Sequence, residues 1–267
     1  MQLTHFERIQ ICCEDVSESL LDYAKLLDRP PTWSGAYRLL EPNGELVDHG
    51  SCAWFLLENT QIELISSSSR DIKIGIVGIV MGHGDHDADF SFLADSTSVK
   101  CTYTDKNGDS FSEEQLCLTQ RNREGFLVTV LKHASSLPMP DGVHDIKRVD
   151  HLVLTSQDAD SCIYRFGEAG LGLRLALDKD VPEWGGRMLF FRSGKLTLEV
   201  IVSAKKFDKT DLFWGIAYHA DDINLSAQRF AQNGVEFSEV RKGRKPNTLV
   251  STIKSHALGI PTLLVQP

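Results

Sequence analysis

A chain of 267 residues with a formal net charge of -9 exceeds the usual length of one domain, and a division into two domains of about 100 to 150 residues is the natural one. Its 42% hydrophobic and 24% charged residues exclude intrinsic disorder, a collagen-like repeat and a coiled coil, and the acidic balance argues against nucleic acid as a partner. Neither a long apolar run nor the basic-then-apolar order of a leader appears, so the expectation is a soluble cytoplasmic protein with no membrane partner.

Ile9 to Cys13 reads as a strand and Val16 to Leu27 as an amphipathic helix, followed by strands near Tyr37, at Cys52 to Leu57 and at Gln61 to Ile65. A second group starts with a strand at Ile74 to Met81 and a short helix candidate at Ala88 to Ala94. Strands at Val99 to Tyr103, Gln115 to Thr119 and Phe126 to Leu131 complete it. The stretch 134-144, rich in Pro, Ser and Gly, reads as a linker between a first domain at 1-133 and a second at 145-267.

Beyond the linker Val149 to Thr155 is β-rich, and Ala159 to Gly170 carries apolar residues at helical spacing. Strands at Leu173 to Leu177, Arg187 to Arg192 and Leu196 to Val202 follow. The last group repeats the order, with a strand at Trp214 to Tyr218, a helix at Ile223 to Asn233 stopped by Gly234, and strands at Val235 to Val240, Leu249 to Ser255 and Thr262 to Val265. Strand, helix and three strands thus occur four times, which predicts an α+β chain of four βαβββ modules with curved mixed sheets.

The six cysteines lack CxxC spacing and read as reduced thiols. His83-Gly84-Asp85-His86-Asp87-Ala88-Asp89 collects metal-ligating residue types, yet without a known ligand spacing it reads better as a solvated loop capping a helix. Arg241-Lys242-Gly243-Arg244-Lys245 concentrates four positive charges, and a cluster of that kind at a cup mouth complements a carboxylate or phosphate. Trp184-Gly185-Gly186-Arg187 fits either an aromatic wall with a cation or a plain β-turn.

Aligning the halves sets Glu7-Arg8-Ile9-Gln10-Ile11 against Asp150-His151-Leu152-Val153-Leu154, and Gln61-Ile62-Glu63-Leu64-Ile65 against Thr197-Leu198-Glu199-Val200-Ile201. These opening and closing strands resemble the V-D-H-L-x-L and I-E-L strands of the vicinal oxygen chelate superfamily, which includes glyoxalase, bleomycin-resistance and extradiol dioxygenase proteins. The resemblance implies two tandem glyoxalase-like domains. It also implies a cup in which a divalent metal, the cofactor of many members, is held by the first and last strand of each module.

Carried over by position, His151 and Glu199 match one ligand pair, which implies for each a role as metal ligand or as catalytic base. Gly215 and the Thr262-Leu263-Leu264 strand supply no second pair. In the first domain Arg8 and Gly78 replace ligands, and a salt bridge between Arg8 and Glu63 is expected. Arg187, Trp184, Arg244, Lys245 and His256 are the candidates for substrate binding. Three functions stay open: a lyase or isomerase acting on a small anionic or oxygen-chelating metabolite in the second cup, a metal-free protein that sequesters such a compound, and, least favoured, a ring-cleaving dioxygenase. A homodimer also stays open.

Overall fold

A computed structural model describes residues 3–40, 46–66, 74–83, 96–118, 126–132, 144–184, 186–203 and 211–267. The first half runs β1 (Leu3–Cys13), α1 (Val16–Leu27), β2 (Trp33–Leu40), β3 (Leu46–Leu56), β4 (Gln61–Ser66), β5 (Gly75–His83), β6 (Ser96–Asp105), β7 (Ser110–Leu118) and β8 (Leu127–Leu131). These strands close into a barrel in the order β1-β4-β3-β2-β6-β7-β8-β5.

The second half runs β9 (Ile146–Ser156), α2 (Ala159–Phe166), β10 (Arg174–Val181), β11 (Gly186–Ser193), β12 (Leu196–Ser203), β13 (Leu212–Ala220), α3 (Ile223–Asn233), β14 (Arg241–Lys242), β15 (Leu249–Ile253) and β16 (Thr262–Gln266). They form an open sheet of eight strands in the order β10-β11-β12-β9-β13-β16-β15-β14. Two tandem glyoxalase-like domains with curved mixed sheets are therefore present. The helix candidate at Ala88 to Ala94, residues 84–89 of the His- and Asp-rich loop and all of the 134-144 linker except His144 lie outside the described residues.

Among the described residues each α-helix starts at an aspartate just beyond the end of a strand. Asp15, Asp158 and Asp222 all have extended backbone and accept hydrogen bonds from amides of the first turn, so each caps donors that the helix itself leaves unsatisfied. The second helix ends at Gly167, earlier than the apolar spacing suggested, because the glycine backbone turns extended and the Leu171 amide closes back on the Arg165 carbonyl. The strand expected at Val235 to Val240 is reduced to an isolated bridge between Phe237 and Ile253. There the Ser238 hydroxyl accepts from the Thr252 amide at 2.9 Å, and a side chain takes the place of a ladder partner.

In both halves the first and fourth strands of the leading module run side by side in parallel, β1 with β4 and β9 with β12. This pairing brings an opening residue and a closing residue of one module onto one face. On β9 and β12, Leu152, Leu154, Leu198 and Val200 are buried in the core, so the alternating residues His151 and Glu199 face the other, concave side.

The two halves are joined by buried polar contacts as well as by a continuous apolar core. The Asn59 amide donates to the Val149 carbonyl at 2.8 Å and accepts from its N–H at 3.0 Å. Arg29 donates to the carbonyls of Leu56 and Ile146, and Arg229 on α3 to those of Lys25 and Leu26 at the end of α1. Phe126 and Phe213 meet with ring centroids 4.5 Å apart. Among the described residues no helix is long and apolar enough to cross a membrane, and all six cysteines are free thiols.

Candidate functional site

The ladder between β9 and β13 pairs His151 with Ala217 and Val149 with Tyr218, so it skips Asp150. Such a bulge breaks the strict alternation of side chains and turns two successive residues toward one face. The Asp150 carboxylate accordingly accepts from His151 Nδ1 at 2.9 Å, and Nε2 of the same ring lies 3.8 Å from the Glu199 carboxylate. His151 is 20% exposed, Glu199 18% and Asp150 32%, so the chain of three is walled in yet open to solvent.

Their environments push the two carboxyl groups apart. Burial raises the proton affinity of Glu199, and the nearby charges of His151 and Arg244 only partly oppose it. Burial also acts to raise Asp150, but there the hydrogen bond and charge of His151, with His219 and Arg148, win and hold it below the usual carboxylate range. His219 continues the polar face: its Nδ1 accepts from Arg148 at 3.0 Å, and burial with the Arg148 charge lowers its proton affinity. The other half of the concave face is apolar, with Ala217, Val250 and Val265 buried together and Leu263 against them.

The residues singled out for substrate binding separate into three groups. Arg244 stands on the exposed hairpin after β14, near enough for its charge to act on Glu199. Lys245 is exposed beside it, and its carbonyl accepts from the Thr248 hydroxyl at 2.6 Å, which shapes the turn. Arg187 does not face the cup. It shares the strand face of the core residues Leu189 and Phe191, and its guanidinium is held by Asp178 at 2.7 Å twice and by Asp160 on α2 at 3.5 Å.

His256 does not reach the cup either. Its Nδ1 meets the Ser255 hydroxyl at 2.7 Å and its Nε2 lies 3.7 Å from Asp22 on α1, so it sits between the halves. Trp184 closes a short 3-10 turn, and its side chain, like Gly185, lies outside what is described. Asp150, Arg148 and His219 were not among the sequence candidates. The D-H pair in the opening strand was the only signal for Asp150.

The registers identify the positions equivalent to His151 and Glu199 in the other module of the cup. Since His151 faces Ala217 and Val153 faces Gly215 across β9 and β13, the local two-fold exchanges His151 with Gly215. Glu199 stands beside Val153 as Leu263 stands beside Ala217, so Leu263 is the counterpart of Glu199. A Cβ on Gly215 would come within 2.6 Å of the Pro261 carbonyl oxygen, so backbone closes that position.

In the first half the same geometry holds Arg8, Glu63, Gly78 and Thr129. There Arg8 is fully buried and lies 3.7 Å from Glu63 and 2.5 Å from Glu113, with its guanidinium 4.8 Å from the Trp54 ring. Gln10 and the Trp54 indole each donate to Glu63 at 2.9 Å. The interior of this barrel is filled by side chains.

In this fold a divalent metal is implied, and the donor set does not fit one. Two of the four positions in the second cup are Gly215 and Leu263, and the remaining imidazole and carboxylate fall short of the about three protein ligands usual at a catalytic site. Among the described residues there is no group of three or more His, Cys, Asp or Glu arranged to hold a metal.

No protein-family model matches the chain, and no curated protein matches it in sequence. Solved structures do match it in fold. A mutant of 4-hydroxymandelate synthase from Streptomyces coelicolor aligns with a TM-score of 0.65 at 12% identity, covering 98% of this chain and 92% of that one. A xylose isomerase-like TIM barrel/4-hydroxyphenylpyruvate dioxygenase fusion protein aligns at 0.60 and 11% identity over 99% of this chain, which spans 49% of the fusion. The fold is of the glyoxalase, or vicinal oxygen chelate, type.

Proposed function

We propose that the second cup binds a small carboxylate-bearing metabolite and moves a proton on the carbon next to its carbonyl, a chemistry of the isomerase or lyase kind. The observation that carries this reading is the chain Asp150–His151–Glu199. Asp150 holds the His151 proton on Nδ1, which leaves Nε2 as the free base facing the cup. Nε2 takes the proton as the C–H bond breaks, and the released electron pair moves onto the carbonyl oxygen. Burial raises the proton affinity of Glu199, and in its protonated form it donates a hydrogen bond to that oxygen. Arg244 at the mouth neutralises the carboxylate, and the apolar wall of Ala217, Val250 and Leu263 takes the substrate's carbon skeleton.

The test is hydrogen exchange in D2O, followed by proton NMR, on a panel of 2-oxo and 2-acyl carboxylates. A substrate loses its α-proton signal with the native protein, and His151→Ala slows that loss by about a hundredfold or more. Arg244→Ala weakens its binding about ten- to a hundredfold, while Arg174→Ala on the exposed edge strand leaves it unchanged. If no compound in the panel exchanges, the proposal fails.

A second reading is favoured by Gly215 and Leu263, which leave half of the cup without donors: a binding protein that holds the same class of compound without turnover. Saturable binding with no exchange selects it. The dioxygenase reading lacks its chemistry, because the iron site of two histidines and one carboxylate needs an imidazole where Gly215 stands.

A further inference from the structure

A second feature, which this reading leaves unused, lies away from the cup. A cavity of about 340 Å³ opens between the two halves, walled by the start of β1, the turn from β3 to β4, and the turn joining β11 to β12. Its volume is at the lower end of the range for small-molecule sites, about 300–1,000 Å³.

Its walls carry opposite charges. On the first-half side the Glu7 carboxylate is 7% exposed and fixed by His5 at 2.8 Å and by the Gln61 amide at 3.2 Å, and Glu58 stands exposed beside it. The same wall holds Thr60 and Gln61, 5% and 3% exposed, whose Oγ1 and Oε1 have no hydrogen-bond partner among the described residues. Buried polar atoms of folded proteins are nearly always satisfied, so beside the cavity the Gln61 carbonyl oxygen is short of a donor and the Thr60 hydroxyl short of a partner. On the second-half side Lys195 lines the cavity, with no ion-pair partner among the described residues.

We infer that this cavity is a binding site for a small zwitterion, a free amino acid, with its ammonium toward Glu7 and Gln61 and its carboxylate toward Lys195. A simple amine makes no use of Lys195, and a simple carboxylate is repelled by Glu7 and Glu58. A molecule with both charges a few bonds apart satisfies both walls at once. The contacts that position the cavity, Asn59 with Val149 among them, also join the two halves, so the ligand bridges them.

The full chain is titrated with the common L-amino acids by calorimetry and saturation-transfer NMR. Ethylamine and propionate serve as probes of each charge alone. At least one amino acid binds saturably, and each single-charge probe binds at least about tenfold more weakly. Lys195→Ala, on an exposed turn where folding is not at risk, weakens the amino acid about tenfold, as does Glu7→Gln in protein whose thermal unfolding matches the native. Three results overturn the inference: no amino acid binds, ethylamine or propionate binds as well as the amino acid, or Lys195→Ala retains native affinity.

Discussion

Arg8 is the sharpest test of how the first barrel is held together. Replacing it with methionine keeps most of the side-chain volume and removes the only cation in contact with Glu63 and Glu113 among the described contacts, which are 2% and 11% exposed. Removing one partner of a buried ion pair costs about 3–5 kcal/mol, because the remaining charge stays desolvated and unpaired. Arg8 leaves two carboxylates behind, so the upper part of that range applies. With a urea m-value of about 2 kcal/mol/M for a domain of this size, the unfolding midpoint of Arg8→Met falls by about 2 M. Tryptophan fluorescence is a suitable reporter, since Trp54 both stacks on Arg8 and donates to Glu63. The double variant Arg8→Met with Glu113→Gln recovers part of the loss, because one buried charge goes with its partner. A midpoint for Arg8→Met within about 0.5 M of the native protein would refute the argument that charge pairing fills this interior.

Three further outcomes follow from the second half. Gly215→Ala destabilises the chain by about 1–3 kcal/mol in chemical unfolding, since its Cβ meets the Pro261 carbonyl at 2.6 Å, and Gly215→His gains no zinc affinity by calorimetry for the same reason. Glu199 has a raised proton affinity in the fold, so its ionisation costs stability as pH rises above the unfolded value of about 4.3; Glu199→Gln is therefore more stable than native at pH 7 and equal to it near pH 3 by thermal melts. Asp150 has the opposite sign: its stabilisation is full above the unfolded value of about 3.9 and is lost as pH falls through its lower folded value, so Asp150→Asn costs stability at pH 7 and converges with native in acid.

The order of most described elements and the His151–Glu199 pair could be read from the sequence because each rests on local periodicity and on the match between the halves. The parity of a strand also contained the answer for Arg187: it alternates in step with Leu189 and Phe191, both core residues, and so belongs to the helix face. Asp150 could not be found that way. Strict alternation sends a residue next to His151 to the opposite face, and only the unpaired place in the β9–β13 ladder reverses this. Glu113 was hidden for a different reason. It lies 105 residues from Arg8 and meets it only because the barrel is closed by the pairing of β2 with β6, a contact that no local pattern announces.

That closure also accounts for the different fates of the two interiors. In the first half β2 and β6 are eight and ten residues long and pair over Gly35 to Leu40, so the cup becomes a barrel and its inward side chains must fill it. Arg8 with two glutamates and an aromatic wall does so. In the second half the strand corresponding to β6 is cut to Arg241–Lys242 by the side-chain hydrogen bonds of Ser238, and β10 is left as an edge. Exposed Asp178, Lys179 and Asp180 suit that edge, since charge discourages a further strand from adding to it. The residues that would have continued β14 instead form the Arg244 hairpin. The same short strand thus leaves the cup open and sets a cation where its charge reaches Glu199, which ties access and anion recognition to one local failure of strand pairing.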